Sequence, residues 1–189
     1  MGQYYKPIFL NEKNKPIAFV CSHDFASGLK LMEHSWMKND FVGFVEKHLA
    51  IQPQKIVWAG DYADVESNKE ENLYELAESV GKLTHSEEVE NKYLHKFEHG
   101  DGSTRKRKYL INFDKKEFVD KSKTPTSSDG WQIHPLPLMT CEGNGRGGGD
   151  FRGDEKNLLG RWSRDKIGVT SRKSDIPTGF TEIIFDLTE

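Results

Sequence analysis

Cysteine is scarce in this chain. Cys21 and Cys141 are the only two, far apart and without a CxxC pair, which excludes a disulfide scaffold. Long apolar runs are missing too, and none approaches the roughly 18 residues that span a bilayer. The opening Met1-Gly2-Gln3-Tyr4-Tyr5-Lys6 lacks the basic-then-apolar order of a signal peptide. Lys6 stands where a myristoylation motif wants Ser or Thr. No membrane association and a cytoplasmic location are expected. A dominant charge is also lacking, because 27 Lys and Arg against 30 Asp and Glu leave a formal net charge of −3. That balance gives no global pull toward nucleic acid, and the one dense basic run, Arg105-Lys106-Arg107-Lys108, reads as a solvated approach to a strand. No GxSxG, HExxH or EF-hand loop occurs.

What is present is an aromatic-rich chain of 189 residues with 11 Phe, six Tyr and four Trp. Disordered chains are usually poor in aromatics, and this length supports one well-cored domain. Residues 3–10 and 16–22 read as a hairpin around an Asn/Lys turn. Leu29, Met32 and Trp36 recur at helical spacing, and His34 falls on the opposite, solvent-facing side. Asn39 is a candidate N-cap for a second helix carrying Phe41, Phe44, Val45 and Leu49 on one face, with Pro53 ending it. Residues 55–59 form the best buried-strand candidate, and Leu73, Leu76, Ala77 and Val80 mark a third helix. A second hairpin is expected over 109–119, and further strands at 158–163, 166–170 and 180–187. Pro135 and Pro137 confine 132–139 to an edge or irregular segment, while 81–106 and 121–130 read as loop-rich. The pattern is α+β: one domain over 1–189, a mixed or antiparallel sheet, and about three helices in the first half.

Six of the 17 glycines fall within residues 143–153, interleaved with Arg146, Asp150, Phe151 and Arg152. A formal GxGxxG occurs at Gly143, Gly145 and Gly148, but the following residues are poor helix formers, so a dinucleotide fold is not expected. No lysine stands at Walker-A spacing either. Successive glycine N–H groups can still form a nest for an anion, with Arg146 and Arg152 adding charge-assisted bonds around Gly147, Gly148 and Gly149. Asp150 and Asp154 suit ribose hydroxyls, a cation, or pairing with the arginines. The loop therefore reads equally as a ligand nest or as a structural turn held by Arg–Asp pairs.

Asp61 and Asp64 sit just past the expected central strand, where carboxylates can meet a ligand or cation, or simply bond their own turn. Trp58 and Trp131 can stack a base or sugar, and Glu33 is a candidate pocket-wall carboxylate. Cys141 and His134 are close in sequence, without any sign that they form a nucleophile–base pair. The leading expectation is a binding site for a small polar ligand, nucleotide-like or bearing phosphate or ribose, built from residues 146–150, Arg152, Trp58, Asp61, Asp64 and Glu33. The alternatives are a divalent-cation hydrolase using Asp61, Asp64, Asp150 and His23, and a protein-interaction module without a small-molecule site.

Four blocks carry a resemblance: Met1-Gly2-Gln3-Tyr4-Tyr5-Lys6; residues 28–36; Trp58-Ala59-Gly60-Asp61-Tyr62-Ala63-Asp64; and His134-Pro135-Leu136-Pro137-Leu138 running into the glycine loop. Together they resemble a family of uncharacterised proteins found in bacteriophages, bacteria and fungi. The resemblance spans nearly the whole chain and supplies no catalytic residues. A phage setting implies a host-interaction role, as an expectation only.

Overall fold

The computed structural model describes residues 3–84, 107–144, 148–154 and 157–188. Their centre is a pair of antiparallel strands, β1 (Tyr5–Leu10) and β3 (Gln54–Gly60), paired from Tyr5 opposite Gly60 to Leu10 opposite Lys55. Every residue of β1 is buried, because both faces of the sheet are covered. Side chains alternate across a strand, so Phe9, Ile56 and Trp58 enter one core while Ile8, Leu10, Val57 and Ala59 enter the other.

The remaining strands are β2 (Pro16–Val20), β4 (Gly81–Leu83), β5 (Tyr109–Asn112), β6 (Glu117–Asp120), β7 (Cys141–Glu142), β8 (Lys166–Thr170) and β9 (Thr181–Glu182). Among the described residues the mixed sheet has nine strands, eight in the order β4-β2-β1-β3-β8-β5-β6-β9 and β7 beside β3. Both expected hairpins form, β1–β2 and β5–β6. The free side of β3 is shared: its first residues pair with β8, antiparallel, and its last with β7, parallel. That split gives β3 two neighbours on one side and brings β7 to its carboxyl end.

Among the described residues four α-helices accompany the sheet: α1 (Leu31–His34), α2 (Asp40–Ile51), α3 (Leu73–Leu76) and α4 (Pro135–Thr140). Helix α2 starts where the sequence suggests, with the Asn39 side chain accepting from the Val42 N–H at 3.2 Å. The expectation of an irregular edge at Pro135 and Pro137 is overturned. Both prolines lie in the first turn of α4, where backbone N–H groups have no intrahelical partner and a missing donor costs nothing. His134 caps that turn, its Nδ1 accepting from the Leu136 N–H. Residues 158–163 are turns rather than a strand, and only Thr181–Glu182 of the expected last strand pairs. Of the loop-rich expectation over 81–106, Gly81–Leu83 is a strand and 85–106 lie outside the described residues. Among the described residues, no helix is long and apolar enough to cross a membrane.

Candidate functional site

Because β3 and β7 are parallel neighbours, with Trp58 opposite Cys141 and Ala59 opposite Glu142, their carboxyl ends open onto the same edge of the sheet. The loop beginning at Gly60 and the glycine loop beginning at Gly143 therefore leave the sheet side by side. In open sheets, the carboxyl ends of parallel strands are where ligand crevices form.

The two loops meet around Tyr5 and Gln3. A Cβ on Gly60 would lie 3.1 Å from one edge of the Tyr5 ring, and a Cβ on Gly149 2.7 Å from the other. The ring is wholly buried between them, and its hydroxyl donates to Gln3 Oε1 at 2.7 Å. Gln3 Nε2 in turn donates to Asn144 Oδ1. Burial raises the Tyr5 phenol pKa, with Cys141, Asp150 and Asp61 adding to the effect, so this hydroxyl is a fixed neutral donor. Gly149 has φ of +58°, a conformation that disfavours other residues. Gly149→Ala is expected to destabilise the fold by about 2 kcal/mol through left-handed strain and the contact with the ring. Urea unfolding would measure it, and a loss below about 0.5 kcal/mol would contradict this packing.

Both loops are braced. Asp61 accepts from the Tyr4 N–H at 3.0 Å through Oδ1 while its own N–H donates to the Tyr4 carbonyl. Asn72, the N-cap of α3, donates to the carbonyls of Asp61 and Ala63. Arg164 then spans the pair, donating to both carboxylate oxygens of Glu66 and to Glu142. Asp150 Oδ1 accepts from the Met32 N–H at 2.9 Å, tying the glycine loop to α1. The Tyr5 N–H donates to the Leu29 carbonyl at 2.8 Å, so the segment leading into α1 meets the two loops at the same residue. Tyr4, which meets Asp61 through its backbone, and Tyr62, the next residue in the chain, are 44% and 48% exposed.

Other candidates take different places. Trp58 is wholly buried and donates through Nε1 to His34 Nε2 at 2.9 Å, so it belongs to the core rather than to a pocket wall. His34, expected in solvent, is buried with it, because α1 is a single turn whose far side faces the sheet. Glu33 is exposed and caps α1, its Oε2 accepting from the Lys30 N–H; that bond holds its carboxyl below the ordinary range. Gly148 packs toward Leu159. Asp64, Arg152 and His23 are exposed. Arg146 and Gly147 lie outside the described residues. Asp61, Asp64, Asp150 and His23 do not gather: among the described residues no group of three or more His, Cys, Asp or Glu side chains is placed to hold a metal ion. Cys141 donates to the Leu138 carbonyl and His134 faces elsewhere.

A second polar cluster has no counterpart among the sequence-based candidates. Glu46 on α2 is wholly buried. Its Oε1 accepts from Lys121 Nζ and, at 3.1 Å, from His134 Nε2, while its Oε2 faces Arg107 Nε at 3.6 Å. The Leu136 N–H on Nδ1 assigns the His134 proton to Nε2, the atom facing Glu46. Burial opposes ionisation of Glu46, but Lys121 and His134 together outweigh it and hold its pKa below the usual carboxylate value. Burial lowers the pKa of both Lys121 and His134. The sequence does carry a signal for this site. Val42, Val45, Glu46 and Leu49 fall at i, i+3, i+4 and i+7, so Glu46 fills a position of the buried stripe.

No protein family, curated protein or solved structure matches this chain.

Proposed function

We propose that the protein binds a small polar ligand, nucleotide-like or bearing phosphate or ribose, at the carboxyl ends of β3 and β7. The observation that carries this reading is the parallel pairing of those strands, which sets Asp61 and the glycine loop on one edge. Asp61 there offers a carboxylate to a hydroxyl, and the exposed tyrosines Tyr4 and Tyr62 offer rings to a base or sugar. Arg146, on the same loop in sequence, supplies charge for an anionic group. Bracing by Gln3, Asn72 and Arg164 at Asn144, Asp61 and Glu142 favours binding, since groups already held in place lose less entropy when a ligand arrives. With Trp58 in the core, stacking falls to the tyrosines, and the phosphate-facing role rests on Arg146.

Thermal shift with a panel of nucleosides and nucleotides tests the reading. Stabilisation of the wild type by phosphorylated members is expected, with Arg146→Ala losing about tenfold in affinity for them, in line with a lost charge-assisted bond. Equal shifts in wild type and variant, or no shift with any member, would count against it.

A further inference from the structure

A separate feature lies on the segment between β6 and α4. Trp131 is 58% exposed, the largest side chain to be so displayed. Its ring rests against Trp36 with centroids 5.5 Å apart and planes tilted by 57°. The two indoles form one wall of an open groove, also lined by Ser127, Ser128, Asp129 and Thr188.

The indole platform is held rigidly. Ser127 and Trp131 bond each other twice, through the Ser127 N–H to the Trp131 carbonyl at 2.8 Å and the Trp131 N–H to Ser127 Oγ at 3.1 Å. Trp36 and Ile133 form an antiparallel bridge, flanked by Met37 N–H to the Gln132 carbonyl and His134 N–H to the Ser35 carbonyl. Gln132 also donates to the Thr124 carbonyl. An exposed tryptophan pinned at its backbone on both sides adds little to the core and is pre-ordered for a ligand face.

The chemistry of the lining selects the ligand class. Among the described lining residues the only charge is the Asp129 carboxylate, beside two serine hydroxyls and one threonine. With no cation there, a phosphate would meet an unfavourable field. The indoles touch one another and make a single tilted corner, which leaves an ammonium ion mostly in water. A sugar ring fits both halves of the wall: its C–H face packs on indole by dispersion, and its rim hydroxyls donate to a carboxylate and exchange bonds with serine. We infer that this groove is a binding site for a neutral saccharide ring stacked on Trp131, with Asp129 accepting from its hydroxyls. The inference is independent of the site at β3 and β7.

The test uses 15N-labelled protein and follows the indole N–H signals of the four tryptophans during titration with neutral hexoses, N-acetylhexosamines and their short oligomers. Trp131 is assigned by the signal missing in Trp131→Ala. The expected result is a saturable shift of the Trp131 and Trp36 signals with at least one saccharide. Trp131→Ala should abolish the shift at Trp36, and Asp129→Asn should weaken binding about tenfold. Both variants should keep the wild-type dispersion elsewhere, since both side chains are exposed. Saturable shifts with tetramethylammonium or a proline-rich peptide in place of sugars would overturn the assignment. So would the absence of any shift across the saccharide panel, or a saccharide shift that survives in Trp131→Ala.

Discussion

Glu46→Ala is expected to lower the stability of the fold by about 3–5 kcal/mol, the cost of removing one partner from a buried ion pair. In a chain of this size that corresponds to roughly 10 °C in Tm. Glu46 joins four segments through one carboxylate: α2, the approach to β5 (Arg107, two residues ahead of it), the turn after β6 (Lys121) and the cap of α4 (His134). Removing it takes from Lys121, 4% exposed, the carboxylate that Nζ contacts. Lys121, whose pKa burial already lowers, then either loses its proton or draws water inward. Both responses cost stability. A cycle of Glu46→Leu, Lys121→Met and their double separates charge from shape: the double should be more stable than the Glu46→Leu single, because two apolar side chains replace an ion pair at little cost. Urea unfolding of the two single variants and the double measures the coupling. A Glu46→Ala loss below about 1 kcal/mol would show that this carboxylate does not hold the segments together.

The elements that could be read from the sequence are those whose signal is local. The β1–β2 and β5–β6 hairpins follow from short β-rich runs around turn residues, and the Asn39 cap follows from its place before an apolar stripe. Misreadings arose where a local rule has a positional exception. Pro135 and Pro137 are poor strand and poor mid-helix residues, yet both fit a first helical turn. Helical spacing through Leu29, Met32 and Trp36 puts His34 on the solvent side, whereas only the turn Leu31–His34 forms and presents it to Trp58.

The candidate site was half legible. Its two loops stood out by composition, but their meeting depends on a parallel pair formed by the two-residue strand Cys141–Glu142. No periodicity marks so short a strand, and its partner lies about 80 residues earlier in the chain. Gln3, which bonds the glycine loop through Asn144 and Tyr5 through its hydroxyl, gave no signal either, because an isolated glutamine has no pattern to break.

The acid limb of stability provides the second large effect, and it reads out the contact beneath the site. His34 is buried and neutral: Nδ1–H donates to the Gly28 carbonyl and Nε2 accepts from Trp58 Nε1, each at 2.9 Å. Burial pushes its pKa down to about 4, although the Gly28 carbonyl, Asp150 and Glu33 pull the other way. A proton added to Nε2 would face the Trp58 N–H donor directly. In the unfolded chain the same imidazole titrates near 6.5. Between those values the unfolded state holds the extra proton, so stability is full above about pH 6.5 and falls by about 3 kcal/mol as pH drops through 4. His134, whose pKa burial also lowers, contributes with the same sign. His34→Gln keeps an acceptor for Trp58 but cannot titrate, so its stability should fall less steeply between pH 6.5 and 4 than that of the wild type. Unfolding by urea across that range, followed by tryptophan fluorescence, measures the slope; parallel slopes would place the acid sensitivity elsewhere. His34 joins α1 to β3, and Asp150 joins α1 to the glycine loop through Met32. Protonation of His34 should therefore loosen the loop before the whole domain unfolds. Amide exchange at Met32 that accelerates below pH 5 ahead of exchange in β1 would register that order of events.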